Sequence, residues 1–460
     1  MPHVDPPLSE LPVIDYRAVG EHNHEGSAHV AFDGRVYDIT GFLRRHPGGR
    51  SILVPALGTD ITDTLESLHD SYVSRMFRSE EGRRRFGIRL IGELAGRTTG
   101  DQNRIGLHDY QSRREYRRPD PMADELRGAV YGYLRRAGLP WKKTLPNALG
   151  LLIFFYVLYA FGMYMAFIRG SALWSLLLGP IITFMAVNVA HTVMHGGFTD
   201  SKAINLLGRT IWDVVGYSSR CWDVEHQSHH QAPHSMIDLQ TAGSTVVRFF
   251  EHQEYRPYHR YQMFYIWFVF ILYSPNSWVV HSYNTLVRYK CVPLREKIGH
   301  VVAKTVGFVL PITLSFVLLD AGTALLNLFL FAVSKSYFSL FTLFIQHEDS
   351  YLDEDANEPW SLRQIRTSAT WYTNPLLQWL LGYFNHHTEH HLFPGLNPAL
   401  YPKIRPIVQA ICEKHGVRYK HISLFELISS QVSAWSKFAT GWTRDSTVRP
   451  VPTGEQLAPG

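Results

Sequence analysis

The chain has 460 residues, enough for two or three domains, and a formal net charge of +5 without the basic stripe of a nucleic-acid binder. Its three cysteines, Cys221, Cys291 and Cys412, show no CxxC spacing. Neither a disulfide framework nor a thiolate metal site is expected from them, and a reducing compartment fits. The N-terminal stretch is polar and has no signal-peptide pattern, which predicts a cytosolic N-terminus.

Residues 1–93 read as a small α+β domain. Strand-like runs at 29–32 and 35–39 are broken by the turn signal Asp33-Gly34. The motif His46-Pro47-Gly48-Gly49 follows, then Gly58-x-Asp60-x-Thr62 and His69. With VYDIT ahead of it, this pattern resembles cytochrome b5 across about 70 residues. The resemblance implies that His46 and His69 are the axial ligands of haem b. Two imidazoles saturate the iron, so such a site passes electrons and does not bind oxygen. Gly48 and Gly49 permit a sharp turn beside the ring. Phe42, Leu53, Leu57, Leu65 and Leu68 are candidates to line the slot. The acidic residues Asp60, Asp63 and Glu66 could steer a basic reductase toward its edge.

Residues 94–145 are charged and Arg-rich, and read as a linker followed by a surface amphipathic helix near 122–137. Residues 148–168 and 172–190 carry no charge, and each run is long enough to cross a hydrocarbon layer of roughly 30 Å. The link Arg169 to Ser171 is short, so the pair predicts a helical hairpin whose second arm delivers His191 to the cytosolic side. Residues 263–273 are apolar but short, which predicts an interfacial or re-entrant helix. A second hairpin is predicted from 305–319, which contains Pro311, and 323–345, which contains Lys335. A charge at that depth is costly, so Lys335 is expected to face the bundle interior, a cavity or a headgroup. Lys142, Lys143, Arg288, Lys290, Arg295 and Lys297 edge the apolar segments, as at cytoplasmic ends of spans. Residues 146–430 are expected to form the membrane body, and 431–460 a disordered tail.

Eight histidines fall in three clusters: His191 and His195 in HTVMH, His226, His229 and His230 in HQSHH, and His387, His390 and His391 in HTEHH. Spacings of three and four put imidazoles on one helical face. Imidazole suits iron, zinc, copper and nickel alike, so spacing does not choose the metal. The count favours two ions over one tetrahedral zinc site. A zinc hydrolase or transporter, and a membrane-tethered electron carrier with no catalysis, are the competing classes.

The segments NVAHTVMHGGF, HQSHHQAPHSMIDLQ, RFFEHQEYRPYHRYQ, RTSATWYTNPLLQWLLGYFNHHTEHHLFPGL and YPKIRPIVQAICEKHGVRY resemble the membrane fatty acid desaturases, closest to the cytochrome-fused front-end branch. The resemblance runs over about 145–425. It implies an all-α membrane body of four transmembrane helices in two hairpins, and two non-haem iron ions held by the eight catalytic histidines. It also implies a cis double bond made with dioxygen in a long, already unsaturated fatty acyl lipid or acyl-CoA. Electrons would come from an NADH-dependent cytochrome b5 reductase through the fused haem, and the membrane would be endoplasmic reticulum, with both termini and the histidine clusters cytosolic. An acyl-chain hydroxylase or acetylenase on the same scaffold is the neighbouring reading. His347 in FIQHEDS resembles an extra ligand of related enzymes and is taken as a ninth. Asp238 and Glu389 are candidates to orient imidazoles. His234, His252, His259 and His386 fall outside the box positions. Two departures from the family pattern stand out: Thr192 where an Asp is usual, and His387 where front-end enzymes carry Gln.

Overall fold

The computed structural model describes residues 10–24, 26–46, 53, 56–62, 65, 69, 71–95, 120–231, 233–234, 238, 246–249, 253–288, 292–347 and 359–441. The Pro47-Gly48-Gly49 turn, Asp63, Glu66, Leu68, Cys291, most of the expected linker and the last nineteen residues lie outside them.

The N-terminal unit is built on a five-stranded sheet of β1 (Val13–Ile14), β2 (Asn23–His24), β3 (Ser27–Phe32), β4 (Arg35–Asp38) and β5 (Arg89–Leu94), in the order β1-β5-β4-β3-β2. Asp33 and Gly34 both take positive φ, 52° and 72°, which gives the two-residue turn that matches strand twist and pairs Phe32 with Arg35. Phe32, Tyr37 and Phe77 pack ring against ring, with centroids 5.3 to 6.4 Å apart. They close one end of a core that also holds Phe42, Leu57 and Leu65. Helices α1 (Tyr16–Glu21), α2 (Ser71–Arg78) and α3 (Glu80–Phe86) complete the α+β unit.

The body is helical. Among the described residues, four helices are long and apolar enough to cross a membrane: Leu145–Ile168, Ala172–Met194, Leu294–Leu318 and Ala321–Leu343. They form the two expected hairpins; the first three spans are longer at their polar ends than the expected runs, and the fourth is set two residues earlier than its run. The expected interfacial segment is one arm of a bent pair, Pro257–Ile271 and Tyr273–Arg288, which turns through 62°. Its outer face carries Phe264, Phe268 and Val279, each at least 70% exposed, as a lipid-facing surface requires.

Prolines inside the spans have specific compensation. Pro180 leaves the carbonyl of Leu176 without its helical donor, and the Ser334 hydroxyl of the fourth span donates to it. Gly179 beside it has no room for a side chain, because an added Cβ would collide with Ser334. Pro311 likewise orphans Gly307, whose carbonyl accepts from the Tyr159 hydroxyl at 3.0 Å. The same hydroxyl lies 3.1 Å from the Val214 carbonyl.

Helix α4 (Pro121–Arg136) buries Met122, Leu126, Val130 and Leu134 in one cluster with Ile404, Val408 and Ile411 of α9 (Tyr401–Lys414). The expected surface helix is thus docked along its apolar stripe. The expected tail boundary at 430 is corrected. Helix α10 (Leu424–Ala439) opens with a Ser423/Glu426 capping box and runs through that boundary. Leu427, Gln431, Ala434, Trp435 and Phe438 form its buried stripe, so these residues are held by packing.

Candidate di-metal active site

Four elements carry the nine candidate imidazoles. The second span delivers His191 at its polar end, just after a π-turn over Ala186–Ala190, and His195 follows one turn on. Helix α5 (Ser219–Gln231) carries His226, His229 and His230. His347 follows the fourth span, and α8 (His387–Leu392) carries His387, His390 and His391. Helix α7 (Trp360–Thr367) packs behind α8. Buried charges hold α5 in place: Asp223 pairs with Arg209 and, at 3.2 Å, with Arg220, which reaches Glu296 of the third span at 2.8 Å.

The nine rings separate into two sets. His191, His195, His226, His230 and His390 form one, and His229, His347, His387 and His391 the other, with ligand atoms in each set within 4.8 Å of one another. All nine are at most 8% exposed. The sets abut, since the His230 and His391 rings stack with centroids 4.4 Å apart. Both α5 and α8 serve both sets. On α5, His226 and His230 face one set and His229 the other; on α8, His387 and His391 face one and His390 the other.

These contacts have the spacing that ligands around an ion would need, and one that a hydrogen-bonded network does not explain. The Nε2 atom of His226 lies 2.9, 3.0 and 3.1 Å from those of His191, His195 and His230. In the second set His347 Nε2 is 2.9 Å from both His229 and His387, and His391 is 3.1 Å from His387. One ring nitrogen cannot satisfy three like neighbours with one proton. Nitrogens at roughly 2.1 Å from one ion and at right angles to each other lie about 3.0 Å apart. Burial, then the neighbouring rings, holds His195, His230, His387, His390 and His391 well below the ordinary imidazole range. His347 is depressed for the same reasons. The neutral form is the form that binds metal. The donor set therefore fits two imidazole-ligated transition metals.

The far side of several rings is also fixed. His229 Nδ1 donates to Asp238 Oδ2 at 2.9 Å, and the same oxygen accepts from the His234 backbone N–H at 3.0 Å. His391 Nδ1 donates to Gln364 Oε1 at 2.7 Å, while Gln364 Nε2 donates to the His230 carbonyl at 3.1 Å. His347 Nδ1 donates to the Thr367 carbonyl at 3.1 Å, and His390 Nδ1 to the Tyr401 hydroxyl at 3.3 Å. Asp238 therefore takes the orienting position anticipated for it. Glu389 does not: it accepts from Thr370 and Tyr419 and lies 3.6 Å from His386, because its side chain leaves the opposite face of α8 from the ligands. Gln364 and Thr367 were not legible in the sequence, where nothing marks a buried Gln on a short amphipathic helix. His386 holds Gln378 and His259 caps a 3-10 turn, while His234 packs against His347 outside both sets. His252 lies outside the described residues.

A cavity of about 30 Å³ abuts this centre between the second and fourth spans, touching His191, Phe384, Trp222, Tyr217 and Lys335. Lys335 does face the interior: its ammonium donates to Ser339 and sits 4.7 Å from the Tyr217 ring centre.

In the N-terminal unit the His46 and His69 ring centroids are 6.2 Å apart, with planes 76° to each other. An iron between two axial imidazoles, each bonded at roughly 2.0 Å with its ring centre roughly 1.1 Å further on, requires about 6.2 Å. His69 Nδ1 donates to the Leu65 carbonyl at 3.1 Å, which selects the tautomer whose Nε2 is unprotonated and able to ligate. Phe42, Leu57 and Leu65 are buried nearby, and Leu53 packs against them. Asp60 is tied into a turn by Thr62, whose N–H and hydroxyl both donate to it.

Comparison with known proteins agrees with this geometry. A model of the cytochrome b5-like heme/steroid binding domain matches residues 15–103, and a fatty acid desaturase model matches residues 169–423. The chain is 28% identical over 293 residues to an sn-1 linoleoyl-lipid 6-desaturase of Arthrospira platensis, covering 58% of this chain and 78% of the relative. It is 25% identical over 463 residues to a Delta(8)-fatty-acid desaturase of Borago officinalis, covering 95% and 96%. Fatty acid desaturase 3 of Bos taurus is 24% identical over 436 residues, covering 89% and 90%. Haem and a di-iron centre are the implied cofactors, and a fatty acyl lipid, dioxygen and membrane lipid the implied partners. With its paired histidine sets at the ends of apolar spans and a haem-binding unit in front of them, the chain belongs to the fatty acid desaturase family of membrane oxidoreductases and carries its own cytochrome b5-like domain.

Proposed function

We propose that this desaturase acts on a long acyl chain that already carries a double bond, with electrons relayed from its own haem unit. The observation that carries the proposal is the adjacency of the two imidazole sets to the apolar cavity between the second and fourth spans. The names of the relatives support the substrate class, since one acts on linoleoyl lipid. We assign His191, His195, His226, His229, His230, His347, His387, His390 and His391 as iron ligands and His46 and His69 as haem ligands.

When bound, the iron pair supplies oxygen activation and removal of hydrogen from unactivated carbon. Overall, a –CH2–CH2– unit, dioxygen, two electrons and two protons become a –CH=CH– unit and two waters. The protein's part is positioning. Phe384 packs against His191 and His387, with centroids 5.0 and 4.6 Å away, and shields the rings from water. Trp222 stacks on His226 at 5.3 Å and on Trp212 at 4.3 Å, which gives methylene groups an apolar wall. The reductase partner is an NADH-dependent cytochrome b5 reductase, and the membrane is the endoplasmic reticulum with the histidine clusters on its cytosolic face. The fused haem unit supports the first reading, and the basic residues that edge the spans support the cytosolic orientation.

The test is lipid profiling of yeast that expresses the chain and is fed linoleate and longer polyunsaturated acids. New double bonds, identified by mass spectrometry and absent in His390→Ala, are expected. Hydroxylated or acetylenic products, or activity confined to saturated chains, refute the proposal.

A further inference from the structure

A third group of metal-ligating side chains lies beside the imidazole sets and takes no part in them. Cys221 and Glu225 stand one turn apart on α5, and His281 reaches them from α6 (Tyr273–Tyr283). Their ligand atoms all lie within 4.8 Å of one another. The Cys221 thiol donates to Glu225 Oε1 at 3.0 Å. His281 Nε2 stands 3.4 Å from Glu225 Oε2, beyond the usual 2.7–3.2 Å of a hydrogen bond. The other ring nitrogen of His281 is buried without a hydrogen-bond partner. The protein alone therefore satisfies this imidazole poorly, although the ring is only 6% exposed.

The Asn284 amide lies 3.6 Å from Cys221 Sγ. Its nitrogen and oxygen are interchangeable by a half-turn, which would aim the carbonyl oxygen into the cluster. Glu225 keeps 20% of its side chain exposed, so an ion has a way in. A thiolate, an imidazole and a carboxylate make a donor set for a borderline-soft divalent ion of the zinc class. Cys221 and His281 lie on separate helices and share no motif, so linear spacing hides the group.

We propose that Cys221, Glu225 and His281 bind a zinc-class divalent cation, distinct from the two imidazole-ligated ions. Binding exchanges the Cys221 S–H bond for a metal–sulfur bond, and the proton leaves to solvent. The ion ties α5, which carries His226, His229 and His230, to the bent membrane helix pair.

The test uses the purified full chain in detergent, with Zn2+ alone as probe. Neither imidazole set contains sulfur, so zinc bound there shows only nitrogen or oxygen neighbours. X-ray absorption at the zinc edge is expected to show a sulfur neighbour at about 2.3 Å. That signal is lost in Cys221→Ser, and zinc affinity falls at least tenfold in Glu225→Gln, which preserves volume and hydrogen bonding. The haem spectrum and elution volume report folding. Zinc with no sulfur neighbour in the unaltered chain overturns the proposal. So does a sulfur signal that survives Cys221→Ser, or wild-type zinc affinity in a folded Glu225→Gln.

Discussion

Replacing Asp238 by Asn isolates the contribution of one buried charge to holding iron. Asp238 Oδ2 receives two donors, His229 Nδ1 at 2.9 Å and the His234 N–H at 3.0 Å, in a fully buried position. Asparagine keeps an oxygen of the same reach, so both hydrogen bonds survive in neutral form. A hydrogen bond to a charged group contributes about 1.5–3 kcal/mol and a neutral one about 0.5–1.5. The loss is therefore about 1 kcal/mol per bond, or about 2 kcal/mol in all. That corresponds to roughly 30-fold weaker iron binding, at tenfold per 1.4 kcal/mol, and falls on the set containing His229. The assay is non-haem iron per haem after equilibration at graded free ferrous iron, with the haem counting protein. Glu389→Gln is the control: it adjoins His390 in sequence but touches Thr370 and Tyr419, so iron affinity stays within a few-fold. Iron retention within twofold of wild type in Asp238→Asn, or a larger loss in Glu389→Gln, refutes the reasoning.

Four further outcomes are expected. His387→Gln keeps an oxygen ligand toward His347 and His391 and retains activity lowered about tenfold, read as product per hour with unchanged double-bond position. His46→Ala abolishes the haem band and most desaturation, and added soluble cytochrome b5 restores activity without the band. Tyr159→Phe strands the Gly307 carbonyl that Pro311 leaves open and destabilises the body by about 1–2 kcal/mol, a downward shift of a few degrees in thermal melting. Acid releases the non-haem iron. His195, His230, His387, His390 and His391 have depressed folded-state values while free imidazole titrates near about 6.5. Above that value neither state takes up protons. Below it the released rings bind protons that the folded rings refuse, so stability falls as pH drops. Iron per haem measured from neutral to acidic pH is expected to fall below about 6.5, and a flat profile contradicts the assignment.

Most of the architecture was legible because each element has a strong local signature. Charge-free runs marked the spans, Asp33-Gly34 marked the hairpin, and dense histidine spacing marked the centre. Partition was not legible. His229 and His230 are neighbours in sequence yet serve different sets, since consecutive helical residues point about 100° apart. The same rotation explains why Glu389, between ligands in the chain, faces away from them. The helix end at Ala439 was hidden by the polar residues that alternate with its buried stripe. The hydroxyls that serve Pro180 and Pro311 come from other helices, so no window of sequence contains both halves of the arrangement.

The division of ligands along α5 and α8 makes each helix a toothed rod meshed with two wheels. A rod seated by one ion holds its remaining teeth in register for the other, so loading the first site pre-sets the second. Metal uptake follows as a paired event, and a variant weakened in one wheel loosens the other to a lesser degree.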